Sequence, residues 1–551
     1  GWSALTGRTG AARLLGAALV LCAIGAAGPE SSARAEIATA GLAPETVARQ
    51  PAPRPDEVPP PPPATLEIAR RARISGKIGW LVADIDTGEV IDAAGAHYAF
   101  APASVAKLPT AAFALEKLGA GHRFETRLLA RGTLSNGVLN GDLVLEAGGD
   151  PELDTDALAP MASAIAAAGI TRVQGAVRAD LGGQKEIAAI MPAQPADAPY
   201  NPAVSPLSLN FNRVRLEWPR RAKAADVKVT AHATHLRPAT DAVRVVSAPV
   251  LPAALVHSYA EDHERWDIVE VALRRKGARW LPVRRPAIYA ASVLADLAGT
   301  KGVEIAGGAV TDRPADATAV ASLAPLTSVG GADAGGGGAG GPAQLIATHE
   351  SRPLAEVLRE MLRYSTNITA ELCGVAAAGA PGAGALEASA EALNAWAAGR
   401  GGFAPNDPGF RLANHSGLSL NSRVSPARLV QLLQAVALAP APVETVDDRL
   451  PPGVAQLLRP HNIGAKNVAF DYANTPVAAK TGTMHFVRGL AGYVTTPKGR
   501  RLAFAVFAND LARREQGEYG ARSWANRART LERALIREWV LLADAAAGTS
   551  K

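Results

Sequence analysis

In "APASVAKLPT", residues 101–110, a hydroxyl and an amine stand three positions apart, at Ser104 and Lys107, ahead of an alanine- and leucine-rich run. That run reads as a helix from about Ser104 to Leu118, so one turn brings the two groups side by side. Pro109 near its second turn deletes one backbone donor, and a tight or distorted first turn is expected there. A serine hydroxyl attacks an amide only if a nearby base takes its proton and fixed donors meet the developing oxyanion. A lysine can be that base when desolvation or a neighbouring cation holds its amine neutral. A lone Ser-x-x-Lys arises roughly once by chance in a chain of this length, so the pair acquires meaning only from partners elsewhere.

A histidine base is not on offer. None of the ten histidines sits in a telling arrangement, and no Gly-x-Ser-x-Gly occurs. His232 and His235 of "HATH" lie on a segment that alternates like a strand, where positions i and i+3 face opposite ways, which argues against a metal pair. A second lysine stands in a more suggestive setting, "AAKTGTMHF", with Lys480, Thr481, Gly482 and Thr483 in succession. A strand there presents an ammonium and a hydroxyl, the glycine lets a substrate backbone approach closely, and Thr483 can offer its N–H. The third element is Ser-x-Asn, which occurs at Ser208–Asn210, Ser365–Asn367 and Ser419–Asn421, so its presence alone says little. Ser365 and Asn367 are preferred because they follow an amphipathic helix. Its stripe is Leu354, Val357, Leu358, Met361 and Leu362.

The elements that must position these groups follow a readable order. Arg8 and Arg13 precede "LLGAALVLCAIGAAG", and "ARA" ends at Ala35; residues 1–35 read as a secretory signal, so the chain is expected to be exported, to the periplasm. An uncleaved anchor is disfavoured by the short apolar run, and a lipid on Cys22 by the bulky Leu21 before it. Residues 36–63, ending in "APRPDEVPPPPPA", read as a stiff spacer. A hairpin around Asp86-Thr87-Gly88 leads to Ser104. From about residue 119 the texture becomes β-rich, with turn signals at Asn136-Gly137 and Asn140-Gly141, a helical run "DALAPMASAIAAAGI" and the strand "RVQGAVRAD". Alternating segments "VKVTAHATHL", "AVRVVSA" and "DIVEVALRR" follow, then a helix near 288–299. The glycine tract 330–341 reads as a loop or hinge. A hairpin turning at Pro497–Gly499 and a helix over about Ala521–Ala545 close the chain.

Bulk composition narrows the field. A chain of 551 residues, 48% apolar and 20% charged, is globular and too long for one core. Loss of residues 1–35 removes Arg8, Arg13, Arg34 and Glu30 and lowers the net charge from +6 to +4, a weak field that argues against nucleic acid as a partner. It also removes Cys22, leaving Cys373 alone and no intrachain disulfide. Contact with a membrane is expected to be peripheral at most.

Ser-x-x-Lys, then Ser-x-Asn, then Lys-Thr-Gly on an edge of the C-terminal sheet is the signature of penicillin-binding proteins and serine β-lactamases. Ser104 and Ser365 are 261 positions apart, with more than a domain of β-rich sequence between them. Here the chain resembles the low-molecular-mass penicillin-binding proteins with a large insertion, the D-alanyl-D-alanine carboxypeptidase/endopeptidase family of penicillin-binding protein 4. The blocks "PASVAKLPTAA", "LNGDLVLEAGGDPEL", "SPLSLNFN", "RYSTNITAEL", "SGLSLNSRVSP" and "AAKTGTM" stand in family order over nearly all of residues 64–547.

The resemblance implies an α+β fold, a transpeptidase/β-lactamase-like domain whose antiparallel sheet has helices on both faces, split by a β-rich insertion. Residues 64–118 would form its first part, 119–344 the insertion and 345–547 its second part. It implies Ser104 as the acylated nucleophile, Lys107 as proton acceptor, Ser365 as a relay to the leaving amine, and Asn367 as a holder of Lys107 and the substrate amide. Lys480 and the Thr481 hydroxyl would meet the substrate's carboxylate, Gly482 would admit its backbone, and the N–H groups of Ser104 and Thr483 would form the oxyanion hole. Peptidoglycan stem peptides and β-lactam antibiotics are the implied partners, and no metal or organic cofactor is implied. Asn414-His415, Thr366 and His485 depart from the family's commoner residues and are read as tolerated variation. A β-lactamase is the nearest enzymatic rival, but the short spacing between Ser-x-x-Lys and Ser-x-Asn and an assignable deacylating Glu are missing. A silent β-lactam-sensing protein is the rival from another class, and the three intact motifs argue against it.

Overall fold

The computed structural model describes residues 58–260, 263–311, 343–379, 385–439, 446–464 and 474–546. The signal-like segment, most of the proline-rich spacer and the glycine tract lie outside the described residues. The first part of the chain supplies α1 (Pro63–Ala72), β1 (Lys77–Asp84), β2 (Val90–Ala94) and α2 (Lys107–Leu118). Then come β3 (Glu125–Ser135), β4 (Val138–Glu146), α3 (Thr155–Ala167), β5 (Arg172–Val173), β6 (Val177–Asp180), β7 (Arg213–Trp218) and β8 (Lys228–Thr230). The same region continues through β9 (Val243–Ala248), β10 (Leu255–Tyr259), β11 (Glu264–Val269), β12 (Gly277–Pro282), α4 (Pro286–Gly299), β13 (Glu304–Ile305), β14 (Ala309–Thr311) and β15 (Ala343–Glu350). The last part holds α5 (Leu354–Tyr364), α6 (Asn367–Ala378), α7 (Ala385–Gly401), β16 (Phe410–Arg411), β17 (Arg423–Val424) and α8 (Pro426–Ala437). It ends with β18 (Val477–Met484), β19 (Val487–Thr495), β20 (Arg501–Asn509), α9 (Leu511–Glu515) and α10 (Ala521–Ala546).

A five-stranded antiparallel sheet in the order β18-β19-β20-β1-β2 joins the two ends of the chain. Its strands are apolar on both faces because both are covered. Trp80, Val82, Leu490, Phe504 and Val506 pack on α10 through Leu535, Ile536 and Trp539. The alternate positions Leu81, Ala83, Ala491, Ala505 and Phe507 join the larger core with Leu108 and Phe113 of α2, the α5 stripe and α8. This is the α+β layering that the resemblance implies, and α2 is sandwiched in its middle.

The β-rich region has its own core, in which Leu143, Leu145, Val177 and Val214 meet Leu158, Met161 and Ile165 of α3 and Tyr289 and Leu294 of α4. A seven-stranded sheet runs β13-β5-β4-β3-β15 with β6 and β14 paired beside β4, and two three-stranded sheets, β10-β11-β9 and β12-β7-β8, flank it. The structure departs from the sequence reading at three segments. Asn140-Gly141 is no turn: it lies within β4 opposite Thr133 and Gly132. A Cβ on Gly141 would meet the Arg131 carbonyl at 1.9 Å, so the glycines serve close strand approach. "VKVTAHATHL" keeps only Lys228–Thr230 as strand, because the Asp156 carboxylate takes the backbone N–H groups of His235 and Leu236. His232 and His235 therefore lie outside the strand. Third, "DIVEVALRR" leaves the sheet after Val269 and tightens into a 3₁₀ turn over Glu270–Arg274.

Candidate active site

Ser104 stands at a helix entry that the sequence makes tight. A 3₁₀ turn over Ala103–Ala106 passes into α2 at Lys107, and Pro109 is the third residue of α2, where no intrahelical donor is needed. Lys107 through Ala114 are all buried. Gly417, with φ +75°, packs so closely on the serine turn that a Cβ would lie 1.9 Å from the Ala103 carbonyl oxygen. Across the cleft, α5 ends at Tyr364, Ser365 takes a left-handed conformation (φ 60°), and Thr366 is extended before α6 starts at Asn367. A left-handed non-glycine costs on the order of 1 kcal/mol, and the break aims both Ser365 and Asn367 into the cleft.

Lys107 is fully buried, and its Nζ lies 3.0 Å from Ser104 Oγ. It donates to Asn367 Oδ1 at 2.7 Å and to the Ser416 carbonyl at 2.9 Å. Burial, then the nearby Lys480, pushes its pKa well below the ordinary lysine value, against the pull of Glu371. A neutral amine has two N–H donors and one lone pair. Asn367 Oδ1 and the Ser416 carbonyl accept the two donors, so the lone pair is left for the Ser104 hydroxyl proton. Glu371, one turn along α6 from Asn367, does not touch the amine. Its carboxylate accepts the N–H groups of His415 and Ser416 at 3.1 and 2.9 Å and so fixes the carbonyl that receives Lys107. Burial raises the Glu371 pKa.

Lys480, 3% exposed on the edge strand β18, donates to Ser365 Oγ at 3.0 Å and to the Thr481 carbonyl at 2.9 Å. Burial, then Arg488, brings its pKa down to about 8. The same strand passes against the serine turn: a Cβ on Gly482 would sit 3.1 Å from the Ser104 amide nitrogen and 2.5 Å from the Pro102 carbonyl oxygen. Only glycine permits that approach. Thr483 is exposed, and its hydroxyl accepts a hydrogen bond from Arg488 Nη1 at 2.7 Å. Ser104, Lys107, Ser365, Asn367 and the Lys480–Thr483 strand thus line one site.

The other Ser-x-Asn copies have different work. Asn210 donates to Thr155 Oγ1 and Tyr289 Oη, and Ser208 Oγ donates to the Ser205 carbonyl, all in the core of the β-rich region. Ser419 Oγ accepts the Asn421 N–H in a turn. Of the departures, Thr366 is the extended residue before α6, and Asn414 Oδ1 accepts the Gly417 N–H at 3.1 Å. His415 is buried against Gly374, where a Cβ would meet its ring at 2.2 Å, and Nε2 is 2.9 Å from Ser389 Oγ. His485 stands in the β18–β19 turn, where its carbonyl accepts Arg514 Nη1. Sequence reasoning missed Glu371, the Ser416 carbonyl, Arg488 and the Tyr200 carbonyl, which accepts Asn367 Nδ2 at 2.9 Å. Of these only Glu371 carried a local signal, its place four residues after Asn367.

Comparison with known proteins identifies the family. The profile of the D-Ala-D-Ala carboxypeptidase 3 (S13) family matches residues 66–329 and 333–529. A D-alanyl-D-alanine carboxypeptidase of Actinomadura sp. (strain R39) is 30% identical over 463 residues, 78% of this chain and 77% of that protein. The D-alanyl-D-alanine carboxypeptidase DacB of Haemophilus influenzae is 23% identical over 468 residues, 80% of this chain and 87% of that protein. The crystal structure of penicillin-binding protein 4 from H. influenzae shares the fold, with a TM-score of 0.63 at 20% identity over 86% of this chain and 99% of that one. With the family matched over most of its length, the chain belongs to the D-Ala-D-Ala carboxypeptidase 3 (S13) family and is a serine peptidase.

Proposed function

We propose that the chain is an exported DD-peptidase that hydrolyses the terminal D-Ala-D-Ala bond of peptidoglycan stem peptides, or a D-Ala-to-diaminopimelate cross-link, through an acyl-enzyme on Ser104. The observation that carries this reading is the Lys107 amine, desolvated, its donors taken by two neutral acceptors, 3.0 Å from Ser104 Oγ. As Ser104 Oγ bonds to the penultimate D-Ala carbonyl carbon, its proton passes to Lys107 Nζ. The oxyanion is met by the backbone N–H groups of Ser104 and Thr483, which the family pattern assigns. Collapse breaks the C–N bond, and the leaving amine takes its proton by way of Ser365 Oγ, which Lys480 orients. Water then attacks the ester by the reverse route and frees Ser104.

Lys480 at a pKa of about 8 is largely cationic near neutral pH and supplies attraction for the substrate's carboxylate, with Thr481 beside it. β-Lactams would be trapped at the same serine; the β-lactam complex of the H. influenzae protein, matched at a TM-score of 0.56, supports this reading. Export to the periplasm rests on residues 1–35. The test is a fluorescent penicillin with a D-Ala assay on a pentapeptide. Slow-released label on Ser104 together with D-Ala release is expected. Label without D-Ala release would favour a sensor, and rapid turnover of the label a β-lactamase.

A further inference from the structure

Behind the Lys480–Thr483 strand lies a buried ion pair that the serine–lysine chemistry does not use. Arg488 stands opposite Thr483 in the β18–β19 register. It is 4% exposed, and its partner Glu532 on α10 is 2% exposed. The two form a fork, Nε to Oε1 at 2.8 Å and Nη2 to Oε2 at 2.9 Å. Desolvating two charges roughly cancels what their attraction returns, so stability is a weak reason for such a pair. The fork leaves Nη1 over, and Nη1 donates to Thr483 Oγ1 at 2.7 Å.

A threonine hydroxyl has one proton and two lone pairs. With Arg488 occupying a lone pair, the proton is free to turn to the exposed edge of β18. Lys480, three residues earlier, feels the same guanidinium, which after burial is the other cause of its lowered pKa.

We propose that Arg488, fixed by Glu532, is a positioning residue for the substrate's terminal carboxylate: it turns the Thr483 hydroxyl into a donor toward that carboxylate and adds positive potential behind Lys480. The proposal rests on the DD-peptidase reading, which brings a carboxylate to this strand. A lysine at 488 keeps a cation for Glu532 but cannot span both Glu532 and Thr483.

The test compares acylation of the full chain by a fluorescent penicillin and by its methyl ester, which differ in the carboxylate alone. D-Ala release from an N-acylated peptide ending in Lys-D-Ala-D-Ala is measured in parallel. Arg488→Lys and Thr483→Val should each lower the acid-to-ester ratio of acylation rates about tenfold to a hundredfold. The peptide's KM should rise more than kcat falls. The double variant should lose no more than the worse single one, because both remove the same interaction. An unchanged ratio in Arg488→Lys, equal losses for acid and ester, or additive losses would each overturn the proposal. If Arg488→Lys does not fold, Arg488→Met with Glu532→Gln removes both buried charges at similar volume and is read by the same ratio. A wild-type chain that takes the label but releases no D-Ala sinks the peptidase reading, while the acid-to-ester ratio still decides this one.

Discussion

Two buried lysines face one another across this site, and they are held in opposite conditions. Lys107 sits at the start of α2 among acceptors that carry no free charge, with the Glu371 carboxylate turned to backbone N–H groups. Lys480 sits buried on an edge strand and donates to a hydroxyl and a carbonyl. Burial first, and then a neighbouring cation, lowers both. The difference teaches that the side-chain type does not assign the role. What each amine meets sets the two apart: Asn367 and a backbone carbonyl at the start of a helix for Lys107, Ser365 and its own strand's carbonyl for Lys480.

The hardest blow to that contrast comes from Ser104→Ala, which should abolish penicillin labelling with the fold intact. Lys107→Arg belongs beside it: a guanidinium stays protonated and has no lone pair to offer. Its loss of acylation should be on the order of a thousandfold or more; survival within tenfold would mean that no neutral base is needed. Lys480→Ala should reduce kcat/KM for carboxylate substrates about tenfold to a hundredfold. In the wild type, KM should rise as the pH climbs above about 8 and Lys480 loses its proton. A KM flat from pH 7 to 10 would remove Lys480 from carboxylate recognition.

A smaller effect concerns the shell around Lys107. His415, fully buried, has its pKa brought down to about 3 by desolvation, against 6.5 when unfolded. Between those values the unfolded chain binds the proton and the folded chain does not. The stability this contributes is therefore complete above pH 6.5 and is lost as the pH falls toward 3, at up to about 1.4 kcal/mol per pH unit. Urea midpoints measured across that range should show a shallower slope in His415→Gln. Least of all should follow from Ser208→Ala in the second Ser-x-Asn copy. Labelling and D-Ala release should not change, and thermal unfolding should register a loss of about 1–2 kcal/mol.

Much of the site was legible because its groups lie within a helical turn or a few strand residues of one another. Ser104 and Lys107 share one turn, Ser365 and Asn367 straddle a helix break, and Lys480 to Thr483 run along one strand. The order of the three motifs, with the long gap between the first two, pointed to the family. Choosing among the three Ser-x-Asn copies was harder, since local pattern is the same for each. What separates them is the company they keep: Asn210 ties Thr155 to Tyr289 inside the β-rich core, while Asn367 meets Lys107. The misread turn at Asn140-Gly141 has a similar origin, because the glycine that would suit a turn also suits close strand pairing.

The chain alone determined which groups could do chemistry and that they come in three separated pieces, because those facts depend on residue type and short spacing. It could not state that the Ser416 carbonyl receives Lys107, that Glu371 holds that carbonyl, or that Glu532 holds Arg488. Those contacts join α2 to a turn more than 300 positions away, and β19 to α10 across 44. They exist only once the packed core excludes water and fixes both partners, and it is that exclusion which lowers the pKa of both lysines.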